Sequence, residues 1–393
     1  MSEFSIELVS TAEALRTYLD DWEDLAAAAL EPNIFYEPPL LLPAIQELGT
    51  GMAIVVALLF VRIAGRSRRR LLCGLFPFQL TTRFKHLPLP GLTLWAHPHC
   101  YLCTPLIRRG YAAETLDALL GWLHAEATAP GIMEFPKLAA DGPIWEAVAA
   151  ALDRHAFPVW EADRWDRALF RRHGDLEGYL QRAIPGRRLR ESRRRTQRLA
   201  ERGALSFDAL PPGGEVRPWL EEFLALESSG WKGRAGTALA SNPAEARFFV
   251  RAATDAFHRG QLVVEALCLD GAPIAMGTMF VSGPGGFRFK DAIDERYRAF
   301  SPGILLRIEE LRRLYGAGTP EWVDSCTDPD SAVWNQIYLD RRELASVVFS
   351  TPAFPARMAI RVLPALRALR RKAPVALGQL HDPRRRPDDG PAG

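Results

Sequence analysis

The stretch FRFKDAIDERYRAFSPGILLRIEELRRLY (287–315) carries the most information in this sequence. Alternation of residues over 287–293 predicts a β-strand, and the residues from Pro302 onward predict an α-helix. The two are joined by a loop that ends in Ser301-Pro302-Gly303. A helix N-terminus offers unpaired backbone N–H groups and the positive end of the helix dipole, so this loop is a candidate phosphate-binding site. An ordinary capped helix start beside solvated arginines is the competing interpretation.

The same loop supplies candidate residues for ligand binding and for catalysis. Arginine can clamp phosphate oxygens, serine can donate to one, and glycine lets a ligand approach the main chain. The candidates for binding a phosphate-bearing cofactor are Arg296, Arg298, Ser301, Gly303 and Ile304. The catalytic candidates are two carboxylates, a loop tyrosine and a lysine in mid-strand: Asp291, Asp294, Tyr297 and Lys290. Turn capping by the acids and simple packing of the tyrosine compete with these roles.

The surrounding elements predict a unit over 165–350. Strands at 262–269, 273–281 and 287–293 follow one another, and Asp270-Gly271 is a typical hairpin turn. Further helices are predicted at 175–183, 187–202, 218–229, 243–259 and 331–338, and further strands at 205–210, 322–325 and 344–349. Substrate-binding candidates follow a helix end and a strand end: Glu227, Trp231, Lys232, Asp324, Trp334 and Asn335. Cys326 is a candidate thiol nucleophile, although an inert cysteine at a strand end is the favoured interpretation because no histidine lies nearby in sequence.

The first 160 residues predict a second unit of similar kind. A helix is expected at 11–30, a Pro-rich loop at 33–42, and a hairpin from strands at 52–63 and 71–79 around the turn AGRSRR. Helices at 111–127 and 144–155 and a strand at 132–136 follow. Helices alternating with short strands indicate a mixed α/β fold, and two such units fit a chain of 393 residues.

Several motifs, taken in order, resemble a known family. They are ALESSGWKGRAGTAL (225–239), LVVEALCLDGAPIA (262–275) and FKDAIDERYRAFSPGILL (289–306). Together they resemble the FemAB-like, CelD/BcsL-type acetyltransferases, which have the GNAT fold and are associated with bacterial cellulose and exopolysaccharide biosynthesis. The resemblance covers residues 170–350 well and 1–160 more weakly. Related FemABX enzymes carry two GNAT-like domains in tandem, so the resemblance implies tandem GNAT-like domains here.

The resemblance implies an acyl-CoA-dependent acyltransferase, with acetyl-CoA as co-substrate and an amine or hydroxyl of a sugar-related or small-molecule acceptor. The loop departs from the usual Arg/Gln-x-x-Gly-x-Gly/Ala pattern, because Arg298-Ala-Phe-Ser-Pro-Gly303 keeps one glycine. FemABX relatives take an aminoacyl group from charged tRNA, so an aminoacyl-tRNA-dependent, FemX-like transferase is the second hypothesis. A non-catalytic module of a polysaccharide assembly is the third.

Composition and charge narrow the class of protein. With a formal net charge of +2, the molecule as a whole should attract nucleic acid or membrane only weakly. An arginine-rich helix at 187–202 nevertheless leaves tRNA open as a partner. Five scattered cysteines form no disulfide framework, and the N-terminus has no signal-peptide pattern, so we expect a soluble cytoplasmic protein.

Two further segments complete the sequence-based expectations. The motif HPHCYLC (97–103) lacks a second ligand pair, so we expect no metal site. Residues 351–393 are expected to form a basic amphipathic segment, which either contacts a membrane surface or packs as a last helix, and a disordered tail from His381.

Overall fold

Helices and strands alternate along the chain, which the computed structural model describes over residues 4–62, 70–85, 87–126 and 130–372, with side chains as far as 367. The predicted mixed α/β class is confirmed. The turn AGRSRR and the tail from His381 lie outside the described residues.

The N-terminal half contains the first elements of both kinds. Its strands are β1 (Phe4–Val9), β2 (Ile54–Arg62), β3 (Arg70–Thr81), β4 (Gly91–Leu94), β5 (Leu106–Ile107), β6 (Ile132–Ala139) and β7 (Val159–Arg171). Its helices are α1 (Ala12–Arg16), α2 (Leu19–Ala27), α3 (Pro38–Leu48), α4 (Ala112–Ala125) and α5 (Pro143–Arg154), with a 3-10 turn at Ile34–Tyr36.

The C-terminal half repeats this mixture. Its helices are α6 (Leu176–Ala183), α7 (Gly186–Ala200), α8 (Val216–Ser229), α9 (Trp231–Arg234), α10 (Pro243–His258), α11 (Pro302–Ala317), α12 (Ala332–Ile337) and α13 (Ala356–Lys372). Its strands are β8 (Leu205–Ala209), β9 (Leu262–Leu269), β10 (Ala272–Ser282), β11 (Gly285–Ile293), β12 (Trp322–Asp324) and β13 (Asp340–Ser350), with 3-10 turns at Leu239–Ser241 and Glu295–Phe300.

One sheet runs through both halves in the order β1-β2-β3-β4-β6-β13-β7-β12-β11-β10-β9-β8, and β5 pairs with β3 off this path. In the first half, β1 to β4 pair antiparallel and β4 pairs parallel with β6. In the second half, β8 to β11 pair antiparallel and β11 pairs parallel with β12. The two halves therefore repeat one pairing pattern.

The halves also exchange a strand at the centre of the sheet. β7 follows β6 along the chain but pairs antiparallel with β12 of the C-terminal half. β13 follows β12 along the chain but pairs antiparallel with β6 of the N-terminal half. β7 and β13 also pair with each other, so the centre of the sheet belongs to both halves.

The structure differs from the sequence-based expectations in two places. The Pro-rich segment 33–42 is mostly helical, because Pro38 and Pro39 stand in the first turn of α3, where a missing N–H costs no hydrogen bond. The long strand β7 was not predicted, because the charged residues in EADRWDR obscure the apolar pattern of a strand. Its buried apolar residues lie near its end, at Ala168, Leu169 and Phe170.

No helix in the described part of the chain is long and apolar enough to cross a membrane.

Candidate active site

The parallel pair of β11 and β12 separates after three residues. Gly285, Gly286 and Phe287 of β11 face Trp322, Val323 and Asp324 of β12. A Cβ atom on Gly285 would lie 2.3 Å from the Trp322 ring, so this close start of the pair requires glycine. Beyond Phe287, β11 continues to Ile293 whereas β12 ends at Asp324. This part of the β11 edge therefore does not pair with β12.

A bulge in β11 lies at this point of separation. Thr278 faces Lys290 whereas its neighbour Met279 faces Arg288, so Phe289 is the extra residue. The Thr278 hydroxyl donates to the main-chain oxygen of Lys290 and accepts from its N–H, both at 3.1 Å. Bulges expose main-chain groups and redirect side chains, and they are common next to active sites.

An open cleft of about 1170 Å³ lies where β11 and β12 separate. Its walls come from β11 and the segment after β12, from α9, and from strands and a loop of the N-terminal half. The sequence-predicted residues that line it are Lys290, Asp291, Arg298, Glu227, Trp231, Lys232, Cys326 and Trp334.

Asp291 stands in the cleft between two buried arginines. Its carboxylate accepts hydrogen bonds from Arg288 and, at 3.1 Å, from Arg307. Burial alone raises the pKa of Asp291, but the charges of Arg307, Arg288 and Lys232 outweigh it and hold the pKa below its usual range. Both arginines also bind the buried Glu310 of α11. Asp291 is therefore an ionised anchor of a buried charge network.

Lys232 is held in the cleft by two acceptors. Its Nζ donates to Oε1 of Glu227 at 3.0 Å and to the main-chain oxygen of Asp291 at 2.6 Å. Glu227 is almost fully buried, and its other oxygen accepts from the N–H of Leu239 at 2.8 Å. An ammonium group has three donors, so one of them remains for a bound molecule.

Three candidates near the end of β12 differ in their surroundings. Asp324 is fully buried and does not line the cleft. Its carboxylate accepts hydrogen bonds from Arg167 at 2.6 Å and from Arg342 at 2.9 Å. Trp334 lies in the cleft beside the guanidinium groups of the Asp291 network, at 5.3–5.4 Å from its ring centre. The Asn335 side chain lies outside the lining and donates to the main-chain oxygen of Pro329.

Cys326 lines the cleft but has an unreactive environment. Burial raises its pKa well above the ordinary thiol value, and the carboxylate of Asp324 adds to the shift. A thiol in such a site stays protonated at neutral pH and is a weak nucleophile.

The loop before α11 engages several of its own candidates. The Asp294 carboxylate caps the 3-10 turn through the N–H of Arg296 and pairs with its guanidinium at 2.6 Å, which lowers the pKa of Asp294. Tyr297 packs beside a small apolar cluster around Leu199 and Phe300. None of Asp294, Arg296 and Tyr297 is among the residues lining the cleft.

Arg298 has a different environment from Arg296. It is exposed, lines the cleft, and pairs with no carboxylate among the described residues. The nearby Glu295 carboxylate instead accepts hydrogen bonds from the main-chain N–H of Trp231 at 2.7 Å and from the Arg234 guanidinium at 2.6 Å. The Arg298 guanidinium is therefore available to an anion in the cleft.

The first turn of α11 begins at Ser301, which has a left-handed conformation (φ 51°). Its main-chain oxygen accepts from the N–H groups of Ile304 and Leu305, and its hydroxyl accepts from Arg195 of α7. A Cβ atom on Gly303 would lie 2.7 Å from the end of the exposed Ile293 side chain, which would have to shift to admit a larger residue. Ser301, Gly303 and Ile304 are not among the cleft-lining residues.

The arginine-rich helix α7 packs against this loop. Besides the bond from Arg195 to Ser301, the guanidinium of Arg198 lies 5.8 Å from the Phe300 ring centre, and that of Arg202, just after the helix, lies 4.7 Å from it. The helix leaves other arginines exposed, namely Arg187, Arg188, Arg190, Arg193 and Arg194. A positively charged surface therefore adjoins the start of α11.

The N-terminal half supplies cleft residues that sequence reasoning missed. They are Tyr101, Lys137, Asp163, Trp165 and Arg167. Lys137 was detectable as one of five lysines in an arginine-rich chain, and its left-handed φ of 48° adds a structural signal. The others could not be found from local pattern, because contacts between distant parts of the chain bring them to the cleft: β7 pairs with β12, and Tyr101 packs against Phe289 of β11.

The HPHCYLC segment packs inside the protein near the cleft. His99 bonds Glu245 through Nε2 at 2.8 Å, and the sulfur atoms of Cys100 and Cys103 lie 3.8 Å apart. Among the described residues, no group of three or more His, Cys, Asp or Glu side chains is arranged to hold a metal ion.

Comparison with known families bears on the half that carries the cleft. Residues 186–331 match the family described as Acetyltransferase (GNAT) domain. Over these residues the C-terminal half is similar to a GNAT domain. The match spans α7 to the start of α12, including the bulged strand and the loop before α11. No curated protein sequence matches this chain.

Solved structures superpose on most of this chain. FemX superposes with a TM-score of 0.53 at 10% identity, over 84% of this chain and 95% of that one. The C-terminal domain of a putative lysylphosphatidylglycerol synthetase from Agrobacterium fabrum gives 0.49 at 13%, over 89% and 96%. A tandem GNAT protein from the clavulanic acid biosynthesis pathway gives 0.41 at 15%, over 89% and 99%. The FemX likeness and the repeated pairing pattern agree with the expected tandem GNAT-like fold.

Proposed function

We propose that this protein is an acyltransferase that moves an acyl group, most simply acetyl, from coenzyme A to an amine or hydroxyl of a sugar-related or small-molecule acceptor. The observation that supports this most strongly is the cleft where β11 and β12 separate beside the loop before α11. The free edge of β11 offers main-chain N–H and C=O groups to an extended donor such as the pantetheine arm.

Arg298 is the donor-binding residue that we favour. It faces the cleft without a carboxylate partner among the described residues, whereas Arg296 is engaged by Asp294. A guanidinium group binds phosphate oxygens through paired, charge-assisted hydrogen bonds. In this proposal Ser301, Gly303 and Ile304 shape the start of α11, whose positive end adds to the attraction for the pyrophosphate.

The chemistry that we propose needs fixed donors more than a strong base. The acceptor nitrogen or oxygen attacks the acyl carbonyl, the carbon–sulfur bond breaks, the acceptor proton leaves to water in the open cleft, and the thiolate is protonated. Main-chain groups at the Phe289 bulge and the remaining donor of Lys232 are suited to hold the developing oxyanion. Asp291, kept ionised by two arginines, is a weak base and serves to position the strand.

The acceptor side of the cleft favours a polar, ring-shaped molecule. Trp165 and Trp231 offer flat apolar faces, and Lys137 and Asp163 offer one charge of each sign. Sugars combine apolar ring faces with hydroxyl groups, so this combination fits a saccharide better than a purely apolar acceptor.

A second candidate is transfer from an aminoacyl-tRNA. The observation that favours it is the row of exposed arginines on α7, packed against the loop before α11. Contacts of this kind with several phosphates give nucleic-acid affinity that falls steeply with salt.

Calorimetry of the full chain separates these proposals. We expect coenzyme A and acetyl-CoA to bind, and Arg298→Ala to weaken binding about tenfold, the loss of one charge-assisted contact. Arg312→Ala is the matched control, because Arg312 pairs with Glu309 on the exposed side of α11. Absence of coenzyme A binding, together with salt-sensitive binding of aminoacyl-tRNA, would move the assignment to the second candidate. Binding of neither would remove both.

A further inference from the structure

The last described helix, α13, has one face packed on the sheet. Ala356, Ala359, Ile360 and Leu363 are 4–7% exposed and pack in a cluster with Val348 and its neighbours. Helix α13 also contacts β7 and β13, the exchanged central strands. The segment is therefore a folded part of the protein.

Another side of this segment exposes a row of large apolar side chains. Phe354, Met358, Val362 and Leu366 are 82, 44, 42 and 39% exposed. Their spacing of four residues places the three helical members on one face of α13, with Phe354 just before it. We call these four residues the apolar stripe.

The charged residues of α13 itself all have one sign. Residues 356–372 include five arginines and a lysine and no acidic residue. Arg357 and Arg361 are exposed next to Met358 and Val362, and neither has an acidic partner among the described residues. Long basic side chains beside exposed apolar ones are the pattern of a helix that lies in a membrane interface.

We propose that α13 binds the surface of an anionic lipid bilayer, with the apolar stripe inserted at the headgroup level and Arg357 and Arg361 contacting lipid phosphates. Charge complementarity favours this occupant over a second copy of the chain, because two copies meeting through this face would bring their arginines together. The proposal stands independently of the transferase function.

The location of α13 relates the bilayer to the cleft. Asp163 lines the cleft and also accepts a hydrogen bond from Arg367 of α13 at 2.7 Å. Helix α13 is therefore joined to the cleft wall through this ion pair.

Vesicle co-sedimentation of the full chain tests the proposal. We expect binding to vesicles of phosphatidylcholine and phosphatidylglycerol in equal parts, and much weaker binding to phosphatidylcholine alone. The double variant M358D and V362D should reduce binding at least tenfold, while Leu8→Asp, which changes an equally exposed residue on β1, should not. Arg357→Gln and Arg361→Gln should each reduce it about fivefold, corresponding to about 1 kcal/mol per basic residue.

Three results would overturn this assignment. The first is absence of binding to the anionic vesicles. The second is binding that M358D and V362D leave unchanged, which would assign it to basic residues alone. The third is a change of oligomeric state in that variant with unchanged lipid binding, which would assign the stripe to a second copy. The arginine variants keep all apolar packing, so they test the proposal even if the double variant fails to fold.

Discussion

Arg167 of β7 places its Nη2 atom 2.6 Å from Oδ2 of Asp324 at the end of β12, inside the protein. Arg342 of β13 donates to the same oxygen, and Arg167 also donates to the main-chain oxygen of Tyr101. One carboxylate thus connects both exchanged strands, and Arg167 connects them to the loop that contains Tyr101. Burial alone raises the pKa of Asp324, but these guanidinium groups outweigh it and lower the pKa.

Asp324→Asn should destabilise the protein by about 3–5 kcal/mol, because it leaves two guanidinium groups without their buried anion. Urea unfolding measures this loss. Asp340→Asn, which breaks a partly exposed pair with His173, is the control and should cost under about 1 kcal/mol. Equal effects of the two substitutions would contradict the role that we give to Asp324.

Lys232→Met should lower the rate of coenzyme A release from acetyl-CoA about 10²-fold, since it removes a fixed donor from the proposed transfer site. A thiol reagent follows the release. The double variant Lys232→Met with Glu227→Gln removes both charges of this buried pair, so no uncompensated carboxylate is left. If it recovers the rate, the lysine acts only by neutralising Glu227 and the proposed contact with substrate is wrong.

His97 should make stability depend on pH. Burial, with His99 and Lys137 nearby, lowers its pKa well below the ordinary value. At pH 7.5 the ring is neutral in both states and contributes no pH-dependent term. As pH falls below about 6.5 the unfolded chain binds a proton that the folded protein excludes, so stability falls by up to about 1.4 kcal/mol per pH unit.

His97→Asn should flatten this acid slope in urea unfolding, whatever its effect at neutral pH. Glu31 and Glu37, whose pKa values burial raises, act in the opposite direction in both proteins. The difference between wild type and variant is therefore the informative quantity. Parallel curves would show that His97 is protonated in the folded state.

Cys326 should resist alkylation by iodoacetamide at about pH 8 in the folded protein and react after unfolding, because its raised pKa keeps the thiol protonated. Peptide mass spectrometry identifies the modified cysteine. Rapid modification of Cys326 in the folded protein would instead indicate an accessible thiolate in the cleft.

The candidate site was predictable where its signal is local. The loop before α11 and the lysines at 232 and 290 stand out by composition and by position in a strand or loop. Composition and position could not distinguish the roles of residues that are close together in sequence. Arg296 and Arg298 look alike in sequence, and only the capping of the 3-10 turn by Asp294 engages one and leaves the other facing the cleft.

By itself the sequence determined most of the helices and strands and the hairpin order of β9 to β11, because periodicity and turn residues act within a few positions of each other. Only the tertiary structure decided the exchange of β7 and β13, the separation of β11 from β12, and the contribution of Lys137, Asp163 and Trp165 to the cleft. These features depend on pairing between strands far apart in the chain, and no local pattern specifies which distant strand a given edge will meet.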